Sequence, residues 1–170
     1  MFGGKRRSFL ILLAVLVVVG AVWGVYRALQ SRWQVWASQT VEALIVETDA
    51  LVAKANPLGA SRRAQEVTRE LDKWGSFKSA QFRLMDQRRI LAKAYLEQQK
   101  RLTLNLIRAS DFKALSEHTA TVKEEMQAEA KACGVASDFD KFCDSCLFLA
   151  DLSQLEEREK PAKSETSAGP

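Results

Sequence analysis

Residues 9–26, FLILLAVLVVVGAVWGVY, form eighteen consecutive positions without a charge or a proline. As a helix this run is about 27 Å long, close to the hydrocarbon thickness of a bilayer. It is apolar on every side, whereas a helix on the flank of a globule keeps one polar face. The run therefore predicts a transmembrane helix, and the rest of the fold is organised around it. Lys5, Arg6 and Arg7 stand immediately before it, so the positive-inside rule puts residues 1–8 in the cytoplasm and everything after Tyr26 on the opposite side. In a Gram-negative cell that side is the periplasm, and the membrane is the inner (plasma) membrane. Trp23 and Tyr26 close the run, with Trp33 and Trp36 just beyond, and amphipathic rings of this kind favour the headgroup layer. A cleaved signal peptide has a shorter apolar core and an A-x-A-like exit, and the bulky VWGVYRAL exit fits neither, so a retained signal anchor is expected. Gly20 and Gly24 make a G-x-x-x-G inside the span. That spacing lets two helices approach closely, although glycine is common in membrane helices without such a role.

Beyond the span, hydrophobic periodicity predicts helices throughout. Val41, Leu44, Ile45, Thr48, Leu51, Val52 and Ala55 share one face, and nothing breaks the chain between them and the membrane run. A single long helix is expected to leave the bilayer and to stop at NPLGA, where Pro57 disfavours helix at Asn56. Ser61 is the expected cap of a second helix bearing Ala64, Val67, Leu71 and Trp74. A break at Trp74-Gly75-Ser76 leads to a long helix over 78–108. Its apolar positions include Phe82, Met85, Ile90, Leu91, Ala94, Tyr95, Leu102, Leu106 and Ile107. Ser110 or Asp111 then opens a helix whose Phe112, Leu115, Thr119, Val122 and Met126 follow the three–four spacing of a bundle or coiled-coil seam. Glu124, Glu125 and Glu129 are placed on its outer side. Gly134 ends that helix, and Ser137 and Asp138 start the last one, with Phe139, Phe142, Cys143, Cys146, Leu147 and Ala150 facing inward. Residues 160–170, KPAKSETSAGP, are too polar to bury a core and are expected to be a disordered tail. The predicted fold is all-α: one transmembrane helix over 9–26, then an antiparallel bundle of four or five helices within an extracytoplasmic domain of residues 27–159.

The chain has 170 residues and a net charge of +4, but that charge is unevenly distributed. Residues 61–113 hold 13 basic and 6 acidic residues, and residues 114–170 hold 6 basic and 12 acidic. Opposed blocks in one bundle satisfy each other, which argues against nucleic acid as a partner. Arg62, Arg63, Arg88 and Arg89 are the candidate partner-binding residues of the basic block, for an acidic protein or anionic lipid. The competing expectation is that they pair with the acidic last helix.

KFCDSCLF, residues 141–148, raises the question of chemistry, with Cys133 ten residues before Cys143. Leu147 stands where c-type haem attachment needs histidine. Zinc would have to recruit His118, the only histidine. In a hairpin turning near 135–136, Cys146 is expected level with residue 125, about 11 Å from His118. No cofactor and no metal are therefore assigned. A redox centre of the thioredoxin kind sits at a helix start after a strand, and Cys143 has neither. Cys133, Cys143 and Cys146 remain thiol or disulfide candidates in an oxidising compartment, with buried core cysteines as the plainer reading.

No nucleophile–base pair or glycine-rich phosphate loop is present, so no catalytic residue is assigned and a non-enzymatic role is expected. The expected function is that of a single-pass membrane protein acting as scaffold, assembly factor or accessory subunit through helix-face contacts. Its partners are the lipid bilayer and other membrane or envelope proteins, with self-association open. A membrane-tethered thiol or disulfide protein using the C-x-x-C pair Cys143 and Cys146, and a ligand-binding, sensor-like bundle, are the alternatives.

Overall fold

The computed structural model describes the backbone of residues 3–75 and 77–164, and side chains over 13–75 and 77–155. Five helices follow in order: α1 Gly3–Ala53, α2 Pro57–Trp74, α3 Lys78–Arg108, α4 Phe112–Ala132 and α5 Ala136–Ser164. No strand occurs among the described residues. The all-α expectation holds, and α3 has the bounds that the sequence predicts.

The 51 residues of α1 make it about 76 Å long. Residues 13–36 are exposed all round, and Ala37, Val41, Leu44 and Thr48 are the first to be buried. Among the described residues α1 is the one helix long and apolar enough to cross a membrane, and no residue of its apolar window is buried. Lys5, Arg6 and Arg7 are helical, but their side chains lie outside the described residues.

Three of the four connections are built alike. After α1, the Ala55 N–H donates to Val52 O at 2.9 Å and the Asn56 N–H to Leu51 O at 3.0 Å, with Ala55 left-handed at φ 58°. This Schellman arrangement satisfies the carbonyls orphaned at a helix end. It recurs at Ser110 (φ 56°) and Gly134 (φ 71°). Asn56 caps α2 by accepting from the Gly59 N–H at 3.0 Å, with Pro57 as the first helical residue. The expected cap, Ser61, instead lies buried inside α2, because proline's fixed φ suits the first helical position and moves the start upstream. Asp111 caps α4 through the Ala114 N–H at 3.0 Å, since Ser110 has taken the left-handed position. Residues 160–164 continue α5, where a disordered tail was expected, and 165–170 lie outside the described residues.

Two cores share α3. Its first half presents Ala80, Leu84 and Leu91 to Ala37, Val41 and Leu44 of α1 and to Ala60, Ala64, Val67 and Leu71 of α2. Further along, Ala92, Tyr95 and Leu96 pack with Val122, Met126 and Ala130 of α4 and with Phe139 and Cys143 of α5. Helical geometry sets the second stripe about 100° around α3 from the first. Met85 and Leu102 fall on these two stripes yet are exposed. Each stands beyond the height of the helices that would cover it: Arg89 already meets the α4 terminus at Cys133, and Gln98 already meets the α1 terminus at Ala55. Consecutive helices are antiparallel, while α1 and α3 run parallel, with Arg83 opposite Glu42 and Gln87 opposite Thr48.

Candidate functional site

The basic block is engaged within the bundle. Arg88 forks onto Glu129, Nε to Oε1 at 2.8 Å and Nη2 to Oε2 at 2.6 Å, with both side chains almost fully buried. These hydrogen bonds raise the Arg88 pKa further, so the guanidinium is always charged. Arg89 donates to the Cys133 carbonyl at 3.1 Å, which binds the α4 terminus to α3. Arg62 meets Glu125 at 3.4 Å, and Arg63 meets Glu47 and Glu66. All four arginines are therefore paired, but with α1, α2 and α4. Among the described residues none pairs with the acidic last helix, which reaches only the lower flank of α3. Glu129, expected on the outside, is buried. The seam itself held the signal: 115, 119, 122 and 126 step by four, three and four, and the next step of three is 129.

The cysteines are all free and buried. The Cys133 thiol donates to Glu129 Oε1 at 3.3 Å. Burial, reinforced by that carboxylate, pushes its pKa up to about 12. Burial likewise pushes Cys143 up to about 11 and raises Cys146, whose thiol faces the Thr103 and Thr119 side chains. A thiol is a nucleophile or ligand only as thiolate, so at neutral pH these side chains act as small apolar residues. The neighbour of Cys146 is thus Thr119, not residue 125 as the sketched hairpin placed it. The short Schellman turn at Gly134 starts α5 one residue earlier and against a different part of α4. His118 is adjacent in sequence but faces away, into a cavity of about 330 Å³ with Tyr95, Gln99 and Glu125. No group of three or more His, Cys, Asp or Glu converges as a metal site among the described residues.

Around that cavity, Tyr95 donates to Glu125 Oε2 at 3.1 Å, and burial raises the pKa of its phenol. Among the described residues, His118 Nε2 and Gln99 Oε1 are buried without a hydrogen-bond partner. Burial lowers the His118 pKa, while Glu125 pulls it the other way.

The end of the bundle nearest the apolar run is aromatic. Trp33 stacks on Trp74 with ring centroids 5.1 Å apart and planes 24° from parallel, and meets Trp36 edge-on at 5.8 Å. The Arg27 guanidinium lies over the Trp23 ring, 5.6 Å from its centroid. Trp23, Tyr26, Trp33 and Trp36 are all exposed on α1. A Cβ added at Gly20 or Gly24 would meet nothing, because α1 stands alone at that height. Trp74, expected on one side of the second helix with Ala64, Val67 and Leu71, is exposed while those three are buried: it ends α2, where the apolar periodicity carries no information about what lies beyond. Further apolar side chains stand exposed at Phe82 and Ile90 on α3 and at Phe148, Leu152 and Leu155 on α5. The last three follow the i, i+4, i+7 spacing of one face, opposite the buried Cys143–Cys146–Ala150 face.

No family model, no curated protein and no solved structure matches the chain.

Proposed function

We propose that this protein is a single-pass, membrane-anchored scaffold, assembly factor or accessory subunit. Its amino terminus lies in the cytoplasm and its bundle lies on the extracytoplasmic, periplasmic side of the inner membrane. The observation that carries this reading is the unbroken α1. A helix exposed over residues 13–36 continues without interruption into a packed core at Ala37. A bundle joined this way is held at a fixed height above the bilayer, which suits docking onto other membrane proteins better than reaching for soluble ones. With the arginines engaged internally, the candidate docking face moves from the basic block to the apolar face of Phe148, Leu152 and Leu155.

A photo-crosslinking residue at Phe148 in living cells tests this. Adducts to a distinct membrane protein are expected there, and none at a control position on the exposed polar flank of α2, such as Arg69. Recovery of the lone monomer from every position rules against the scaffold reading. A reporter at the carboxyl terminus that is active only outside the cytosol is expected from the orientation, and a cytosolic reporter overturns it. The thiol-enzyme alternative is less well supported, since all three thiols are buried and protonated. At pH 8, Cys143 of the C-x-x-C pair is expected to react with a disulfide reagent roughly a hundredfold more slowly in the folded chain than in denaturant. Fast labelling in the folded state would restore that alternative.

A further inference from the structure

The link between α2 and α3 lies beside α1 at the point where the apolar run ends. A cavity of about 370 Å³ there is lined by Tyr26, Leu29 and Trp33 of α1 and by Trp74, Gly75 and Phe77 of the link. Gly75 takes φ 120°, a left-handed value open to glycine, and this turns the chain so that Phe77 packs inward and Trp74 outward. Trp74 is 60% exposed although one ring face is spent on Trp33. A tryptophan so placed lacks cover in the isolated chain.

What would cover it follows from position and charge. If residues 9–26 fill the hydrocarbon layer, Tyr26 marks its edge, and Trp33 stands about 10 Å further along a straight helix. The headgroup layer is about 5–8 Å deep on each side, and indole rings favour that layer. Trp33 therefore stands just past that layer, but Gly75 and Phe77 share a cavity with Tyr26 and Leu29, which carries the link down into it with Trp74 at its outer edge. Segments 27–37 and 73–79 bear Arg27, Arg32, Lys73 and Lys78 and no acidic residue. Indeed the first acidic residue of the whole chain is Glu42. A cationic, aromatic rim at this height complements an anionic lipid surface.

We propose that the α2–α3 link is a second membrane contact, with Trp74 lying among anionic phospholipid headgroups beside α1. The contact rests on the anchoring reading above. It converts a one-point tether into a two-point stand: the span fixes the height of the bundle, and the link fixes its rotation about α1, so the same helix faces always point along the membrane.

Depth-dependent quenching of tryptophan emission in nanodiscs tests this on the full chain. The discs combine phosphatidylcholine and phosphatidylglycerol, brominated either near the top or near the end of the acyl chain. A chain with Trp23→Phe, Trp33→Phe and Trp36→Phe retains Trp74 alone, and one with Trp33→Phe, Trp36→Phe and Trp74→Phe retains Trp23 alone. Trp74 is expected to lose at least half of its emission to shallow bromines and little to deep ones. This loss should shrink at least twofold when phosphatidylglycerol is omitted or when Lys73→Glu and Lys78→Glu are introduced. Quenching of Trp23 with Trp74 untouched overturns the second contact and leaves the anchor standing. If neither is quenched, the anchor itself fails, and the contact with it. Shielding of Trp74 from aqueous acrylamide only at high protein density in the bilayer identifies a second copy as its cover, which also overturns the proposal. If the Trp74-only chain loses its helical circular dichroism, the wild-type and Trp74→Phe pair gives the same reading as a difference in shallow quenching.

Discussion

The two cores that share α3 are built on different chemistry. The one beside the apolar run is lined by alanine, valine and leucine with a single aromatic, Phe77, and has Ala37, Ala60, Ala64 and Ala80 where helices meet. Small side chains bring helix axes close and leave little freedom between them, as befits a rigid continuation of α1. The far core uses bulkier and softer residues, Tyr95, Met126, Phe139, Cys133 and Cys143, and it contains Glu129, the one buried acidic side chain among the described residues. A neutral buried hydrogen bond, from Gln87 to Thr48 at 3.0 Å, supplements packing in the first core, whereas a buried charge pair fixes the second. Support also runs one way. Helices α4 and α5 rest on α3 and otherwise meet the first core only through side chains such as Arg62. The first half of α3, in turn, is held by α1 and α2.

The largest effect is expected where the far core is polar. Glu129→Ala leaves the Arg88 guanidinium buried without its partner, and removing one member of a buried pair costs roughly 3–5 kcal/mol. Hydrogen exchange on the detergent-solubilised chain should show protection lost in α4 and α5 and kept in α1 and α2. The double change Arg88→Met with Glu129→Leu should recover most of this, since apolar side chains of similar volume often replace a buried pair without loss. If the double variant is as weak as the single, the pair contributes more than its own desolvation and the contrast between cores needs restating.

Leu71→Ala probes the other core. Leu71 is fully buried, and the cavity should cost about 2–5 kcal/mol. The pattern matters more than the size: because α4 and α5 lean on α3, this change should lower protection in both cores, unlike Glu129→Ala. Identical exchange patterns for the two variants would show one cooperative unit and remove the asymmetry.

Much of this organisation is written in short stretches of the chain. Pro57, Asp111 and Gly134 each announce a helix end through a fixed φ, a capping carboxylate or a left-handed turn, and such signals need no knowledge of neighbours. The faces of α3 were harder to read. Phe82, Met85, Ile90 and Leu102 look like core residues from their type, yet they are exposed, while Gln87, Gln99 and Thr103 are buried. Periodicity reports one face per helix, but α3 changes its covered face partway along, and where that happens depends on the lengths of α1 and α4. The arginine partners were missed for a related reason: block charge says that acids and bases will meet, not which helix lies within reach. The anchor was legible because bilayer thickness is an external ruler, and Trp74 was not, because its stacking on Trp33 joins residues 41 positions apart.

A smaller effect tests the turns that join the two cores to their helices. Ala55 holds φ 58°, where an L side chain is crowded by about 1–2 kcal/mol and glycine is not. Ala55→Gly should therefore stabilise the chain by about 1 kcal/mol after glycine's greater loss of chain entropy, raising the thermal midpoint by roughly 2–8 °C. Gly134→Ala at the equivalent turn should do the reverse. A destabilised Ala55→Gly would mean that the methyl group makes contacts outweighing its strain.

The smallest effect concerns pH and the boundary between the cores. His118 on α4 faces the cavity against the α1–α2 turn, and its Nε2 is buried without a partner among the described residues. Burial lowers its folded pKa below the usual 6.5, and Glu125, the charged group facing it, opposes the shift without cancelling it. A base whose folded pKa is depressed takes up fewer protons folded than unfolded as acid is added. Its contribution is intact above 6.5 and is lost as pH falls through the folded value. Urea midpoints of the wild-type chain and His118→Gln, measured from pH 8 to pH 5, should therefore separate only on the acid side, with the variant gaining. Parallel curves would mean that the imidazole reaches solvent freely and that the two cores are not sealed at this point. If the wild type gained on acidification, Glu125 would be capturing the imidazolium, and the junction would be a second polar lock like Arg88–Glu129 and not a gap between two cores.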